Sequence, residues 1–437
     1  MKNYQFYHIY PLGMLDKLNN NNDLNLRNLT EFITHLKEMH INALQIGPIF
    51  ESVYHGYETI DYKKIDSRLG SNDDFKEMVG SYHYNDIDVI VDCVFNHVSR
   101  DFFAFRDVLE FRESSKYLNW FYINTNTNNH RNDGFTYETW DGHDELVKLN
   151  LDNNEVCDYL IDVAKFWFYE FKIDGLRLDA ADVMKPEFIK RLNNEMKALK
   201  SDFYIVGEMV HGDYNGLLNR TGIDSITNYE CYKGLYSSLN DTNYHEIAYS
   251  FKRLFGQDGM IKNKCLYNFV DNHDVNRVAS EIKDSKHLYP LYLMMYTMNG
   301  FTSIYYKSEL GADGKRSNTS DYALRQPFLI NELDYQNNLL ESIKKISKIR
   351  SNEPVLAFGD YEELVVNSSL IGYRRFKNGK SIVTFINSSD EPSIIDKNIF
   401  SHWANSYGLN GYDLLNEESV IKGEHLVIHP NWGRILT

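Results

Sequence analysis

The chain has 437 residues with 43% hydrophobic and 25% charged residues, an ordinary globular composition on a chain too long for one compact core. Two or three domains are expected, one of them large enough for a barrel. The formal net charge of −16 argues against nucleic acid or an anionic membrane surface as a partner and is compatible with a neutral substrate.

The first residues, MKNYQFYHIYPLGM, lack the apolar core and small-residue cleavage site of a signal peptide, so a cytoplasmic location is expected. Strand-like and helix-like patterns then alternate for about 350 residues. The strands are QFYHIY, NALQIG, DVIVDCVF, DGLRLD, FYIVGE, IDSITNY, CLYNFV and TSIYY. Amphipathic stretches such as LRNLTEFITHLKEM, VCDYLIDVAKFWFYEF and PEFIKRLNNEMKALK lie between most of them. Near-continuous apolar strands alternating with helices predict a parallel sheet covered on both faces, and eight of them predict an α/β fold of the (β/α)8 TIM-barrel type. A doubly wound sheet is the alternative, but no glycine-rich phosphate loop follows any strand.

One connection breaks the rhythm. Residues 98–150 are rich in Asn, Asp and aromatics, and the next helix begins near Asn154. A loop of that length predicts a small inserted domain. Residues 288–306, LYPLYLMMYTMNGFTSIYY, are nearly long enough to span a bilayer, but Pro290 and Asn299-Gly300 divide them into a buried helix, a turn and a strand. Beyond residue 350, LIGYRRF, KSIVTFIN and HLVIHP alternate at period two, which predicts a small antiparallel β domain. The expected division is a barrel over 1–97 and 151–350, an insert over 98–150 and a C-terminal β-sandwich over 351–437. Cys93, Cys157, Cys231 and Cys265 show no CxxC spacing and read as reduced core thiols.

Barrel chemistry sits at the C-terminal ends of the strands. Strand three ends in Asp92, followed by Asn96 and His97; strand four ends in Asp179, strand five in Glu208, and strand seven runs into His273 and Asp274. Arg177 lies two residues before Asp179 and so shares its face. Any one of these acids reads as a structural ion pair. Asp179, Glu208 and Asp274 with two histidines read as a catalytic mouth, or as a divalent-metal site, although the HxH or HExxH spacing of a metal barrel is missing.

Taken in order, DCVFNH, GLRLDAAD, VGE and FVDNHD strongly resemble the four signature regions of the α-amylase family of retaining glycoside hydrolases, and IGPIFES with HGYETIDY resembles a further region after strand two. The resemblance covers essentially the whole chain. It implies that Asp179 is the nucleophile, that Glu208 is the general acid and then the general base, and that Asp274 grips the sugar hydroxyls and helps distort the ring. It places His97 and His273 as hydrogen-bond partners of the same sugar and Tyr57 as its stacking platform. The Arg177 guanidinium is expected to keep Asp179 ionised. Glu208 needs its proton near neutral pH, and two neighbouring carboxylates make a third negative charge costly. An Asp179–Glu208 separation of about 5 to 5.5 Å would give retention of configuration.

The implied function is hydrolysis of α-1,4-glucosidic bonds in maltooligosaccharides. Sister activities on the same scaffold (a transglycosylase, a glucan isomerase or a sucrose-active enzyme) remain alternatives, and a non-catalytic binding relative is a further one. Ala180, after the nucleophile, goes with α-1,4 cleavage among exo-acting relatives, where valine goes with α-1,6. The first strand begins near residue 5, so the N-terminal β domain of dimeric relatives is not expected ahead of it.

The family pattern is broken in GFTSIYYKSE, where Thr302 replaces a proline and Lys307 a glycine, and in LVKLN, where Lys148 replaces an aspartate that helps to bind Ca²⁺ in many relatives. No cofactor and no metal are therefore expected. The Lys148 ammonium is predicted to stand where the ion would be, bonded to Asn96 and nearby carbonyls. The degenerate loop DKLNNNNDLN, residues 16–25, is a weaker candidate for a metal.

Overall fold

The computed structural model describes residues 2–18, 22–421 and 423–437. Eight parallel strands form one sheet: β1 (Gln5–Ile9), β2 (Ala43–Ile46), β3 (Asp88–Cys93), β4 (Gly175–Leu178), β5 (Tyr204–Gly207), β6 (Ser225–Ile226), β7 (Tyr267–Asn268) and β8 (Phe301–Tyr305). Each strand pairs with its neighbours in sequence, β1 also pairs with β8, and a Thr227–Tyr267 bridge between the β6 and β7 edges closes the barrel. The predicted (β/α)8 barrel is the fold observed.

Inside the barrel the side chains that alternate along each strand change character with height. Phe6, Ala43, Ile90, Tyr204, Val206, Tyr267 and Phe301 form one apolar cluster in the interior. Two residues beyond Ile90 on β3 comes Asp92; Arg177 follows Gly175 on β4; Glu208 follows Val206 at the end of β5. Period-two alternation therefore lifts the chain directly from the apolar core to the charged mouth. Gly175 is required by this packing, since a Cβ there would stand 2.2 Å from the Tyr204 carbonyl oxygen.

Between β3 and the helix α1 (Asn154–Phe171), three short strands (His97–Val98, Thr139–Trp140 and His143–Lys148) form an antiparallel sheet beside the barrel mouth. Asn153 caps α1 by accepting from the Glu155 amide, which ends the long connection at the point its composition predicts. Residues 288–306 form the helix α2 (Leu288–Thr297), a turn at Gly300 with φ of 102°, and β8. Among the described residues no helix is long and apolar enough to cross a membrane.

The C-terminal part is an antiparallel six-stranded sheet that includes β9 (Asp360–Val366), β10 (Leu370–Lys377), β11 (Lys380–Asn387) and β12 (Trp432–Leu436). One face, with Ile371, Tyr373, Ile382 and Ile435, joins the barrel core. The other, with Leu370, Val383, Phe385 and Leu436, is covered by the helix α3 (Lys397–Tyr407) and the ribbon Ser393–Ile395/Leu426–Ile428. The second layer of the expected sandwich is thus a helix and a two-stranded ribbon, because the intervening sequence NIFSHWANSY has helical rather than alternating periodicity.

Both departures in and after β8 fit their backbones. Thr302 pairs with Gln5 on one side and Asn268 on the other, a central ladder position that a proline would interrupt. Lys307 takes φ of 72°, the left-handed conformation its glycine counterpart would adopt freely, and its ammonium reaches the Pro327 carbonyl and Glu332, both at 3.1 Å.

Candidate active site

A single guanidinium organises the mouth. Arg177 Nη1 donates to both oxygens of Asp92, at 2.8 and 2.7 Å, and to Asp179 Oδ1 at 3.1 Å, while Nη2 lies 2.6 Å from Glu208 Oε1. Arg177 is 3% exposed and Asp92 fully buried, so this charge has no solvent to fall back on and must be met by carboxylates. The other Glu208 oxygen accepts the Ala180 amide at 3.0 Å. Ala180 can aim that amide because its φ is 48°, a turn immediately after β4.

Three carboxylates around one guanidinium leave surplus negative charge in a buried place. Burial, followed by the charge of Glu208, pushes the Asp179 carboxyl well above the usual carboxylate range; Arg177 pulls it down and is outweighed. Asp92 is raised by burial in the same way. The expectation that Arg177 keeps Asp179 acidic is therefore corrected: the guanidinium is divided among three acids, and desolvation wins.

Asp274 is the opposite case. Burial raises it, but His273 Nε2 at 2.9 Å and Arg325 Nη2 at 3.3 Å hold it well below the usual range. The Tyr57 hydroxyl meets His273 Nε2 and donates to Asp92 Oδ2 at 3.2 Å. The Tyr57 and His273 rings lie parallel within 6°, and so do Tyr10 and His273 within 9°. His97 is buried and parallel to the Trp140 indole of the insert, and burial lowers its pKa to about 4, which keeps the ring neutral. Beside Asp274 a cavity of about 490 Å³ opens between Tyr232, Asn276 and Arg316.

Asp92, Arg177, Asp179, Glu208, Tyr57, His273 and Asp274 thus form one connected network. His97 joins the site from its edge, with Asn96 Nδ2 at 3.3 Å. Sequence reasoning missed Tyr10 and Arg325. Arg325 donates from Nε to the His273 carbonyl at 3.1 Å and lies over the Tyr10 ring, 4.6 Å from its centroid. The loop segment DYALRQPF that carries it has no periodicity to mark it.

The predicted place of Lys148 is wrong. Its ammonium pairs with Glu138 Oε2 at 3.1 Å and lies over the Tyr122 ring, away from Asn96. Val147, its strand neighbour, is fully buried, so the pleat turns Lys148 to the outer face, where an ammonium keeps water and a carboxylate partner. Among the described residues no group of three or more His, Cys, Asp or Glu side chains could hold a metal ion. Of the loop proposed as a weaker metal site, residues 19–21 lie outside the described residues.

Residues 8–357 match the family model for the α-amylase catalytic domain. The chain is 30% identical over 380 residues to a maltogenic α-amylase of Bacillus acidopullulyticus, covering 83% of this chain and 62% of that protein. It is 30% identical over 380 residues to a cyclomaltodextrinase of Thermoanaerobacter pseudethanolicus, covering 85% and 64%. It therefore spans less than two thirds of the length of these curated relatives. A solved debranching enzyme from Nostoc punctiforme superposes with a TM-score of 0.83 at 26% identity, over 99% of this chain and 98% of that one. With its barrel, its ordered signature regions and a family match that takes in β2 to β8 and the end of β1, the chain belongs to the α-amylase family.

Proposed function

We propose that the chain is a retaining glycoside hydrolase that cleaves α-1,4-glucosidic bonds in maltooligosaccharides. The observation that carries this reading is the Arg177 fork, which holds Asp179 and Glu208 on neighbouring nitrogens of one guanidinium. Two carboxylates so close favour double displacement over inversion, which needs room for a water between them. In this reading Asp179 Oδ attacks the anomeric carbon while a proton passes from the carboxylate cluster, through Glu208, to the departing glycosidic oxygen. Water then attacks the glycosyl-enzyme with Glu208 as base, the C–O bond to Asp179 breaks, and the proton returns.

Glu208 is tied at both oxygens, one to Arg177 and one to the Ala180 amide. With a sugar in the cleft, Glu208 would leave the Arg177 contact and present its carboxyl to the glycosidic oxygen, with Asp179 as nucleophile. Asp274, held ionised by His273 and Arg325, would bind hydroxyls of the same sugar, with His97, His273 and Tyr57 around it. The barrel would comprise 1–97 and 151–350, with the insert at 98–150 closing one side and 351–437 as the C-terminal domain. Four free, buried cysteines support a cytoplasmic location.

Chromatography of products from maltoheptaose tests the reading. Shorter maltooligosaccharides with an equivalent rise in reducing ends support hydrolysis; chains longer than the substrate would make transglycosylation the main activity.

A further inference from the structure

At the opposite end of the barrel from the carboxylates lies a cavity of about 810 Å³. It is bounded by the segments that lead into β6, β7 and β8 (Asp224, Cys265 and Asn299) and by the β10–β11 turn of the C-terminal sheet. None of the network residues described above lines it. Its size falls within the range of sites for small organic ligands, roughly 300–1,000 Å³.

Its charge is the reverse of the protein's. Lys262, Lys264, Lys377 and Lys380 line it, against Asp224 and Asp360. Lys380 is paired with Glu353, and Asp224 is taken by Lys197 at 3.0 Å. Among the described residues the other three ammoniums hydrogen-bond only neutral acceptors: Lys262 the Gln257 carbonyl at 2.9 Å, Lys264 the amide oxygens of Asn215 and Asn219, and Lys377 the Phe358 carbonyl at 3.2 Å.

Two fully buried arginines stand behind the wall, and neither forms an ion pair among the described residues. Arg350 donates to the carbonyls of Tyr296, Met298 and Gly300, and Arg375 to that of Gly359, while Arg375 Nε and Nη1 have no partner. Burial lowers Arg375 to about 10 and, with the Arg375 charge, Arg350 to about 9, so both remain cations at neutral pH. Burial raises the Cys265 thiol, which lines the cavity, to about 11, and both guanidiniums pull it down. Asp360 offsets part of the Arg375 charge, but buried cations without an ion pair are costly, and an anion in the cavity would relieve them.

We propose that this cavity binds a small organic phosphate, with its body against Phe255, Ile261 and Phe358 and its phosphate met by Lys262, Lys264 and Lys377. Lysine ammoniums suit phosphate as point charges, and the apolar walls call for a ligand larger than the free ion.

The test is thermal unfolding of the full chain with adenosine 5′-monophosphate, glucose 1-phosphate, inorganic phosphate, adenosine or glucose, each at 5 mM and constant ionic strength. Adenosine 5′-monophosphate or glucose 1-phosphate should raise Tm by about 2 °C or more, which of the two does so identifying the body the walls accept, while the uncharged counterparts leave it unchanged. The K264Q/K377Q variant should lose that rise. The proposal is overturned if neither organic phosphate raises Tm, if the variant keeps the rise, if the uncharged counterpart does as well, or if inorganic phosphate alone gives the full effect.

Discussion

Arg177 and Glu208 are in direct contact, Nη2 to Oε1 at 2.6 Å, although the same guanidinium already serves Asp92 and Asp179. The proposed acid therefore shares its cation with two other carboxylates, and burial raises both of them.

Replacing the two central carboxylates should separate their roles. Asp179→Asn should lower kcat on maltotriose at least 1,000-fold, on the order expected for loss of a nucleophile, and leave oligosaccharide binding intact. Glu208→Gln should lose on the order of 100- to 10,000-fold on maltotriose but much less on α-maltosyl fluoride, whose leaving group needs no proton. Retention of a tenth of wild-type activity by Asp179→Asn would remove it from the nucleophile's role.

Asp179→Asn should also stabilise the protein. The folded-state pKa of Asp179 is raised, so its stabilising contribution is complete below the unfolded value, about 3.9, and is lost as pH rises through the folded value. Asparagine has no such loss. The variant should melt above the parent at neutral pH, with a gap that opens as pH rises above the unfolded value in calorimetric scans. A gap that stays at zero or turns negative across this range would refute the assigned direction.

Ala180 holds its amide on Glu208 from a left-handed backbone, φ 48°. Ala180→Val places a β-branched side chain in that conformation, at a cost of roughly 1–2 kcal/mol, and narrows the space beside Glu208. We expect the parent to cleave maltotriose faster than panose or isomaltose, and the variant to lose about tenfold in kcat/KM on maltotriose. Initial rates on the three sugars decide this; a preference for isomaltose in the parent would contradict the linkage assignment.

Lys148→Ala should change Tm by no more than about 1 °C, because a partly exposed pair with Glu138 is worth little. EDTA should alter neither Tm nor activity. A melting loss of several degrees on chelation would reveal a structural ion.

The chemistry was legible in the sequence where strand order alone determines position. Asp92, Asp179 and Glu208 converge because each ends, or directly follows, a strand of the same barrel. The fold of residues 288–306 was legible for a similar local reason, since Asn299-Gly300 breaks the apolar run. What escaped depends on contacts distant in sequence or on side-chain direction. Arg325 reaches the site from a loop more than 50 residues beyond Asp271 in the FVDNHD segment. Lys148 has the expected address but the opposite face of its strand, and the electrostatics of Asp179 depend on how many acids share Arg177.

The most direct measurement is to trap the glycosyl-enzyme. Glu208→Gln incubated with α-maltosyl fluoride should accumulate a covalent adduct, since it can be glycosylated but lacks the base for turnover. Mass spectrometry of the digested protein should place one maltosyl group on the peptide that contains Asp179, and on Asp179 itself. An adduct on another residue, or β-maltose released with no adduct formed, would contradict the double-displacement account.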